Sequence, residues 1–389
     1  MTASATQPVR VGLIGPGGRL RGIVGRLLNE APSGSIKIVA AYDPDSRALQ
    51  SVRDELGIEL EEALSEEALI NRPDLDWIFI GSWNVFHARQ AIAAMQAGKH
   101  VFCEKPLATS LEDCVAIRDA AAKSGRIFSF GLVLRYSPHY QKVHDLIATG
   151  AIGNILSFEF NETLPFNHGG YIFGNWRRHT SKAGSHLLEK CCHDLDLANW
   201  IINSLPMRVA SFGGKDFFVP KNERHIARIG PSDAGKPAYR TWVDPDGISP
   251  FTKGANIVDN QVAILQYANG VRATFHTNCN AGIPERRFYI CGTEGALRAD
   301  ALTGHIEWQR ISHAPKMEQI NMGHGGGHAG GDETMAKALV DTLINGQKPL
   351  ASVEEGLHAC VAAFAIDQAM EEKKVVELDP WWKAAGVKV

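Results

Sequence analysis

Three short runs, Val9–Ile14, Ile36–Tyr42 and Trp77–Ile80, and a fourth at 101–103 are largely apolar, and each stops abruptly at a glycine or a charged residue. A strand with one wet face alternates apolar and polar residues, so short runs of this kind read as strands buried on both faces. Helical spacing separates them. A helix passes through Val24, Leu27 and Leu28, another begins near Asp45, a short one covers 63–70, another covers 86–97, and Ser110 caps the next, with Glu112 and Asp113 in its first turn. A last strand at 127–131 ends the series. Buried strands joined by amphipathic helices predict an α/β fold with a parallel, doubly wound sheet, whose ligand lies at the carboxyl ends of its strands. Gly15, Asp43, Ser82 and Lys105 all fall at such ends.

The residues at those ends share a chemistry. Gly15-Pro16-Gly17-Gly18-Arg19-Leu20 joins a strand to a helix, and such a turn lets backbone N–H groups and a helix N-terminus meet a pyrophosphate. Leu20 stands where a third glycine is usual. Asp43 suits the hydroxyls of an adenosine ribose and would repel a 2′-phosphate, which favours NAD over NADP. Arg47 pulls the other way, and Asp43 could instead cap the helix near Asp45. Ser82, Trp83, Asn84 and His87, with Glu104 and Lys105, extend the predicted cofactor set. In Glu104-Lys105-Pro106 an acid and an amine end a buried strand, and the proline restricts the lysine to extended backbone.

Beyond Gly153 the pattern changes. Leu156, Phe158 and Phe160 alternate with Ser157, Glu159 and Asn161, and further strands are expected at 207–212, 259–267, 271–278, 287–291, 296–299 and 305–311, with Asn269-Gly270 as a hairpin turn. This predicts an open, mostly antiparallel sheet in a second domain. Helices at 333–344 and 353–373 close the chain, and 215–254 reads as a long inserted loop. We therefore expect a nucleotide-binding domain over 1–131 and a substrate-binding, oligomerising domain over 132–389. With 389 residues and a net charge of -3, no basic stripe points to nucleic acid and no apolar run is long enough for a membrane span. The N-terminus lacks the apolar core of a secretory signal, and seven cysteines, an odd number, suit reduced thiols in a cytoplasm.

The second half is chemically densest at 184–196. Glu189, His193 and Asp196 lie four and three residues apart, so one helix face carries an acid, an imidazole and an acid. A carboxylate beside an imidazole fixes its tautomer and suits it to general base work. Ordinary helix salt bridges would give the same column, and Lys190 is a rival partner for Glu189. Zinc at His193, Cys191, Cys192, His324 and His328 is disfavoured, because adjacent cysteines diverge on a helix and no Cys-x-x-Cys pair exists; no metal is expected.

The glycine turn, Asp43, Glu104-Lys105-Pro106 and the helix with Glu189, His193 and Asp196 together resemble the Gfo/Idh/MocA oxidoreductases, which include glucose–fructose oxidoreductase and inositol dehydrogenases. The likeness covers essentially the whole chain. Gly131 with Arg135-Tyr136 matches the junction between domains, Trp176-Arg177 a cofactor-side loop, and 328–332 a glycine-rich segment. The resemblance implies a Rossmann domain, a cis Lys105–Pro106 peptide, His193 as acid/base, Lys105 holding the substrate hydroxyl, and Glu189 where the family often has aspartate. It implies NAD-dependent oxidation of a secondary hydroxyl of a sugar, glycoside or cyclic polyol by a homodimer or homotetramer. Arg135, His193 and His328 join Lys105 as substrate-binding candidates, and Asp332 is a further candidate for substrate hydroxyls. Two alternatives stand beside this: a redox-neutral enzyme that retains its NAD, and a non-catalytic nucleotide-sensing protein on the same fold.

Overall fold

The computed structural model describes residues 7–240 and 247–389. Part of the expected inserted loop and most of the N-terminal stretch read for a signal peptide lie outside the described residues. The chain divides into two compact units: one runs to Ser137 and takes back Gly330–Leu357, the other holds Pro138–Ala329 and His358–Val389. The first unit thus takes up a late segment as well as the residues before the expected boundary at 131.

In the first unit, strands β1 (Val9–Ile14), β2 (Ile36–Tyr42), β3 (Glu61–Glu62), β4 (Trp77–Ile80), β5 (His100–Cys103) and β6 (Phe128–Phe130) pair in the order β3-β2-β1-β4-β5-β6. Every pairing is parallel. Helices α1 (Gly18–Glu30), α2 (Ser46–Leu56), α3 (Glu66–Ile70), α4 (His87–Gln96) and α5 (Leu111–Ser124) connect them. Local chemistry sets where they start. The Asp45, Ser65 and Ser110 side chains accept first-turn N–H groups of α2, α3 and α5. The helix expected from residue 63 begins at Glu66 because Glu61 and Glu62 pair with Ala40 and Ala41 as an edge strand.

The second unit contains α6 (Pro138–Ala148), β7 (Ile155–Pro165), α7 (Phe166–Gly174), α8 (Thr180–Ala183), α9 (His186–Ile202), β8 (Pro206–Gly214), α10 (Arg224–Ile229), β9 (Asn260–Tyr267), β10 (Arg272–Ala281), β11 (Arg287–Gly292), β12 (Gly295–Asp300), β13 (His305–Arg310) and β14 (Met317–Asn321). Then α11 (Gly331–Asn345) lies in the first unit, followed by α12 (Val353–Glu372), β15 (Val376–Glu377) and α13 (Asp379–Ala384). Among the described residues this sheet has nine strands, in the order β14-β13-β12-β11-β7-β10-β9-β8-β15. The mostly antiparallel expectation holds, with one exception: β7 and β10 run parallel. The sheet buries Phe158, Phe160, Phe275, Phe288 and Leu297, with α9 packed on β7.

The stretch at 215–254 is not simply a loop. It carries α10, and Phe217, Phe218, Tyr239 and Phe251 pack on Leu164, Ile172 and Phe173 as a small aromatic core. Asp259 anchors its start by accepting the backbone N–H groups of Asp216, Phe217 and Phe218 at 2.7–2.9 Å.

Candidate active site

In the first unit, Gly15 adopts φ +66°, and a Cβ there would lie 2.5 Å from the Ser82 backbone. The glycine missing at Leu20 is replaced from across the sheet. Leu20 is buried, and a Cβ on Gly81 would sit 2.7 Å from its Cβ. The first turn of α1 and the end of β4 thus approach each other closely. Helix α1, whose N-cap is Gly17, has no side-chain cap and no acid in its first turn. A Cβ on Gly17 or Gly18 would meet no atom nearer than 3.9 Å. Uncapped N–H donors at an open turn fit a phosphate-bearing cofactor.

At the end of β2, Asp43 Oδ1 accepts the Asp45 N–H at 2.9 Å. Burial pushes the Asp43 carboxyl above its ordinary range, and that hydrogen bond draws it partly back. The cap of α2 is Asp45, which also holds the Arg47 guanidinium. After β4, Ser82 Oγ donates to Gln90 at 2.6 Å, and Trp83, partly exposed, stacks on Phe86 with ring centroids 6.0 Å apart. Asn84 is buried in the short 3-10 turn that follows.

His87 ties two turns together. Its ring is fully buried, with Nδ1 2.8 Å from the Pro106 carbonyl and Nε2 3.2 Å from that of Ser82. Burial holds its pKa below the usual range. It is a strut between two turns, with its ring enclosed in protein.

Lys105 follows β5, half-buried, and its peptide bond to Pro106 is cis. The preceding Glu104 is buried. Arg19 Nε donates to its Oε1 at 3.2 Å, and Lys105 N–H donates to its Oε2 at 3.2 Å. Arg19 Nη1 donates to Asp332 at 2.6 Å. The side chains of Arg19 and Asp332, expected at cofactor and substrate, thus meet each other. Arg135 is buried in the 3-10 turn Val133–Tyr136. Its charge, after the Ser352 hydrogen bonds, helps keep the Glu355 carboxyl low against the burial that pushes it up.

In the second unit, Ser185 caps α9, and His193 and Asp196 are buried along it. Glu189 accepts from Arg177 Nε at 2.9 Å; the Arg177 guanidinium lies 4.4 Å over the Trp176 ring and 5.3 Å over Tyr171. Lys190 turns away from Glu189 and pairs with Glu162 at 3.2 Å. Arg286 bridges Glu162 at 3.1 Å and Asp194 at 2.7 Å. His168, beside Lys190, is driven down to about 2 by burial and then by the Lys190 charge, so it is a neutral imidazole. The His193 and His328 rings stand 6.2 Å apart.

Sequence reasoning missed His168, Tyr171 and the Glu162–Arg286–Asp194 network. One signal was available. Phe158, Phe160 and Glu162 share the inward face of β7, and an acid at an inward position needs a buried cation.

A family model described as "Oxidoreductase family, NAD-binding Rossmann fold" matches residues 9–132, and its C-terminal α/β counterpart matches residues 144–378. The chain belongs to the Gfo/Idh/MocA oxidoreductase family. Inositol 2-dehydrogenase of Pseudomonas fluorescens is 25% identical over 377 residues, 95% of this chain and 96% of that protein. 2,7-Anhydro-N-acetylneuraminate hydratase of Escherichia coli is 26% identical over 269 residues, 68% of this chain and 61% of that protein. The structure of a levoglucosan dehydrogenase in complex with NADH and levoglucosan matches with a TM-score of 0.78 at 22% identity, covering 96% of this chain and 100% of that one. The first unit of this Gfo/Idh/MocA chain is accordingly an NAD-binding Rossmann fold.

Among the described residues, the cluster with the spacing of metal ligands is Glu162, Cys191 and Asp194. Arg286 already pairs with both carboxylates, so cationic charge is supplied there by protein. Cys191 and Cys279 are buried, and burial pushes their thiols well above the ordinary range, which disfavours the thiolate. Among the described residues no helix is long and apolar enough to cross a membrane.

Proposed function

We propose that this chain is an NAD-dependent dehydrogenase acting on a secondary hydroxyl of a sugar, glycoside or cyclic polyol. The observation that carries the reading is Lys105 with its braced Glu104, at the same carboxyl edge of the parallel sheet as the open, uncapped glycine turn. Gly15, Gly17, Gly18 and the backbone of Arg19 and Leu20 hold the pyrophosphate, and Asp43 takes the adenosine ribose and selects NAD over NADP. Bound there, NAD supplies the hydride acceptor. Lys105 holds the substrate oxygen and stabilises negative charge as it develops, and His193 takes the hydroxyl proton. Glu189, backed by Arg177, keeps a carboxylate one turn before His193 on α9. His328 contributes a second imidazole near His193 for substrate hydroxyls.

The test is a panel of cyclic polyols and sugars offered with NAD, read at the NADH absorbance band. Turnover of no member in either direction would sink the dehydrogenase reading. The similarity to a hydratase keeps a second reading, a redox-neutral enzyme that oxidises its substrate transiently and retains its cofactor. That enzyme would purify with bound NAD and consume substrate with no net NADH. The exposed face with Phe212 (70% exposed), Val262 (43%) and Ile264 (59%) favours association with a second copy, which light scattering would measure.

A further inference from the structure

We propose that Arg19 is a positioning residue for Lys105, its guanidinium serving the lysine turn rather than the phosphates of the cofactor. The proposal rests on the dehydrogenase reading above. An arginine in the first turn of a helix that follows a glycine loop has an obvious partner in a pyrophosphate. Here the guanidinium is committed elsewhere, to Glu104 at 3.2 Å and Asp332 at 2.6 Å.

The Glu104 side chain is only 7% exposed, and a carboxylate so buried requires a cation. Its second oxygen accepts the N–H of Lys105 itself, so one carboxylate joins Arg19 to the backbone that carries the lysine. Space has been kept for it: a Cβ on Gly131 would sit 3.2 Å from both the Cα and Oε2 of Glu104. Asp332, in the first turn of α11, brings in a third segment. The glycine turn, the lysine turn and the returning helix therefore meet on one cation. Moving that cation to a phosphate would leave the buried Glu104 carboxylate without its guanidinium, which is strongly unfavourable. Arg19 therefore stays with its carboxylates, and its effect reaches the reaction through Glu104 and the backbone of Lys105.

The test is Arg19→Gln in the full chain, with three readouts: NADH affinity by fluorescence titration, amide exchange of the peptide 101–108 by mass spectrometry, and steady-state kinetics. The expected result is an NADH Kd within about threefold of wild type, a saturating kcat lower by about tenfold or more, and Lys105 amide exchange about tenfold faster. Arg19→Lys, which keeps a cation for Glu104, recovers part of the lost kcat. Should Arg19→Gln fail to fold, Asp332→Asn carries the test, with a smaller kcat loss and unchanged NADH affinity. An NADH Kd raised about tenfold with kcat and exchange unchanged would make Arg19 a phosphate ligand and overturn the proposal. Unchanged exchange together with unchanged kcat would overturn it as well. If no sugar or polyol is turned over, the dehydrogenase reading falls by itself, while exchange and NADH binding still decide whether Arg19 braces the lysine turn.

Discussion

Arg177 Nε lies 2.9 Å from Glu189 Oε1, with the two side chains 20% and 6% exposed. The pair joins the 3-10 turn Trp176–Arg178 to the first turn of α9, one turn before His193. The Arg177 guanidinium also donates to the Tyr171 hydroxyl at 3.1 Å, so its orientation is fixed on several sides. The acid beside the histidine is thus held from outside its own helix.

Removing one member of this pair takes a close charge partner from the other, which lies largely out of water. Arg177→Met should cost about 3–5 kcal/mol of stability. Urea denaturation of Arg177→Met, Glu189→Met and the double variant measures it. The double variant should lose clearly less than the sum of the single losses. Strict additivity would mean that the pair contributes nothing as a pair.

On the proposed role of Lys105 at the substrate oxygen, Lys105→Ala should lower kcat by about a hundredfold or more, with NADH still bound at close to wild-type affinity. Fluorescence titration and initial rates separate the two effects. Wild-type turnover in the variant would remove Lys105 from the mechanism.

On the proposed role of Asp43 at the adenosine ribose, Asp43→Ser should raise the preference for NADP relative to NAD by about tenfold or more, by removing a charge that would repel a 2′-phosphate. Competing kcat/KM values for the two cofactors give the answer. An unchanged ratio would confine Asp43 to holding the backbone N–H of Asp45.

Asp367, on α12, offers a pH test within the second unit. Burial pushes its carboxyl from 3.8 up to about 6, against hydrogen bonds from Ser185 and Gln261 that pull it down. Between these values the folded state keeps a proton that the unfolded state has lost, so stability falls as pH rises through the window and the penalty is complete above it. Asp367→Asn keeps both hydrogen-bonding positions and removes the charge. It should be more stable than wild type by about 1–2 kcal/mol at pH 8, with little advantage near pH 4. Urea midpoints at the two pH values check this, and an equal difference at both would exclude the linkage.

Helix α7 shows where the sequence was hard to read. Gly169 and Gly170 in Phe166–Gly174 look like helix breakers, yet a Cβ on Gly169 would collide with the Cys279 carbonyl and one on Gly170 with that of Tyr239. The glycines are there for close packing against segments far along the chain, and their composition hides the helix. Within 215–254 the packing was hidden for a related reason: Phe217, Phe218, Tyr239 and Phe251 have no periodicity of their own and become a core only against α7 and β7.

The strand ends at Gly15, Asp43, Ser82 and Lys105, the doubly wound order and the family were legible in the sequence. They depend on local quantities: apolar period, turn glycines and a proline after a lysine. Which charge meets which was decided only by the tertiary structure. Arg19 finds Glu104 across 85 residues and Asp332 across 313, and Arg286 finds Asp194 across 92. Lys190 finds Glu162 rather than its chain neighbour Glu189. A buried charge demands a partner, and sequence alone can state that demand. The partner's identity depends on which distant segments are brought within about 3 Å in a water-poor interior.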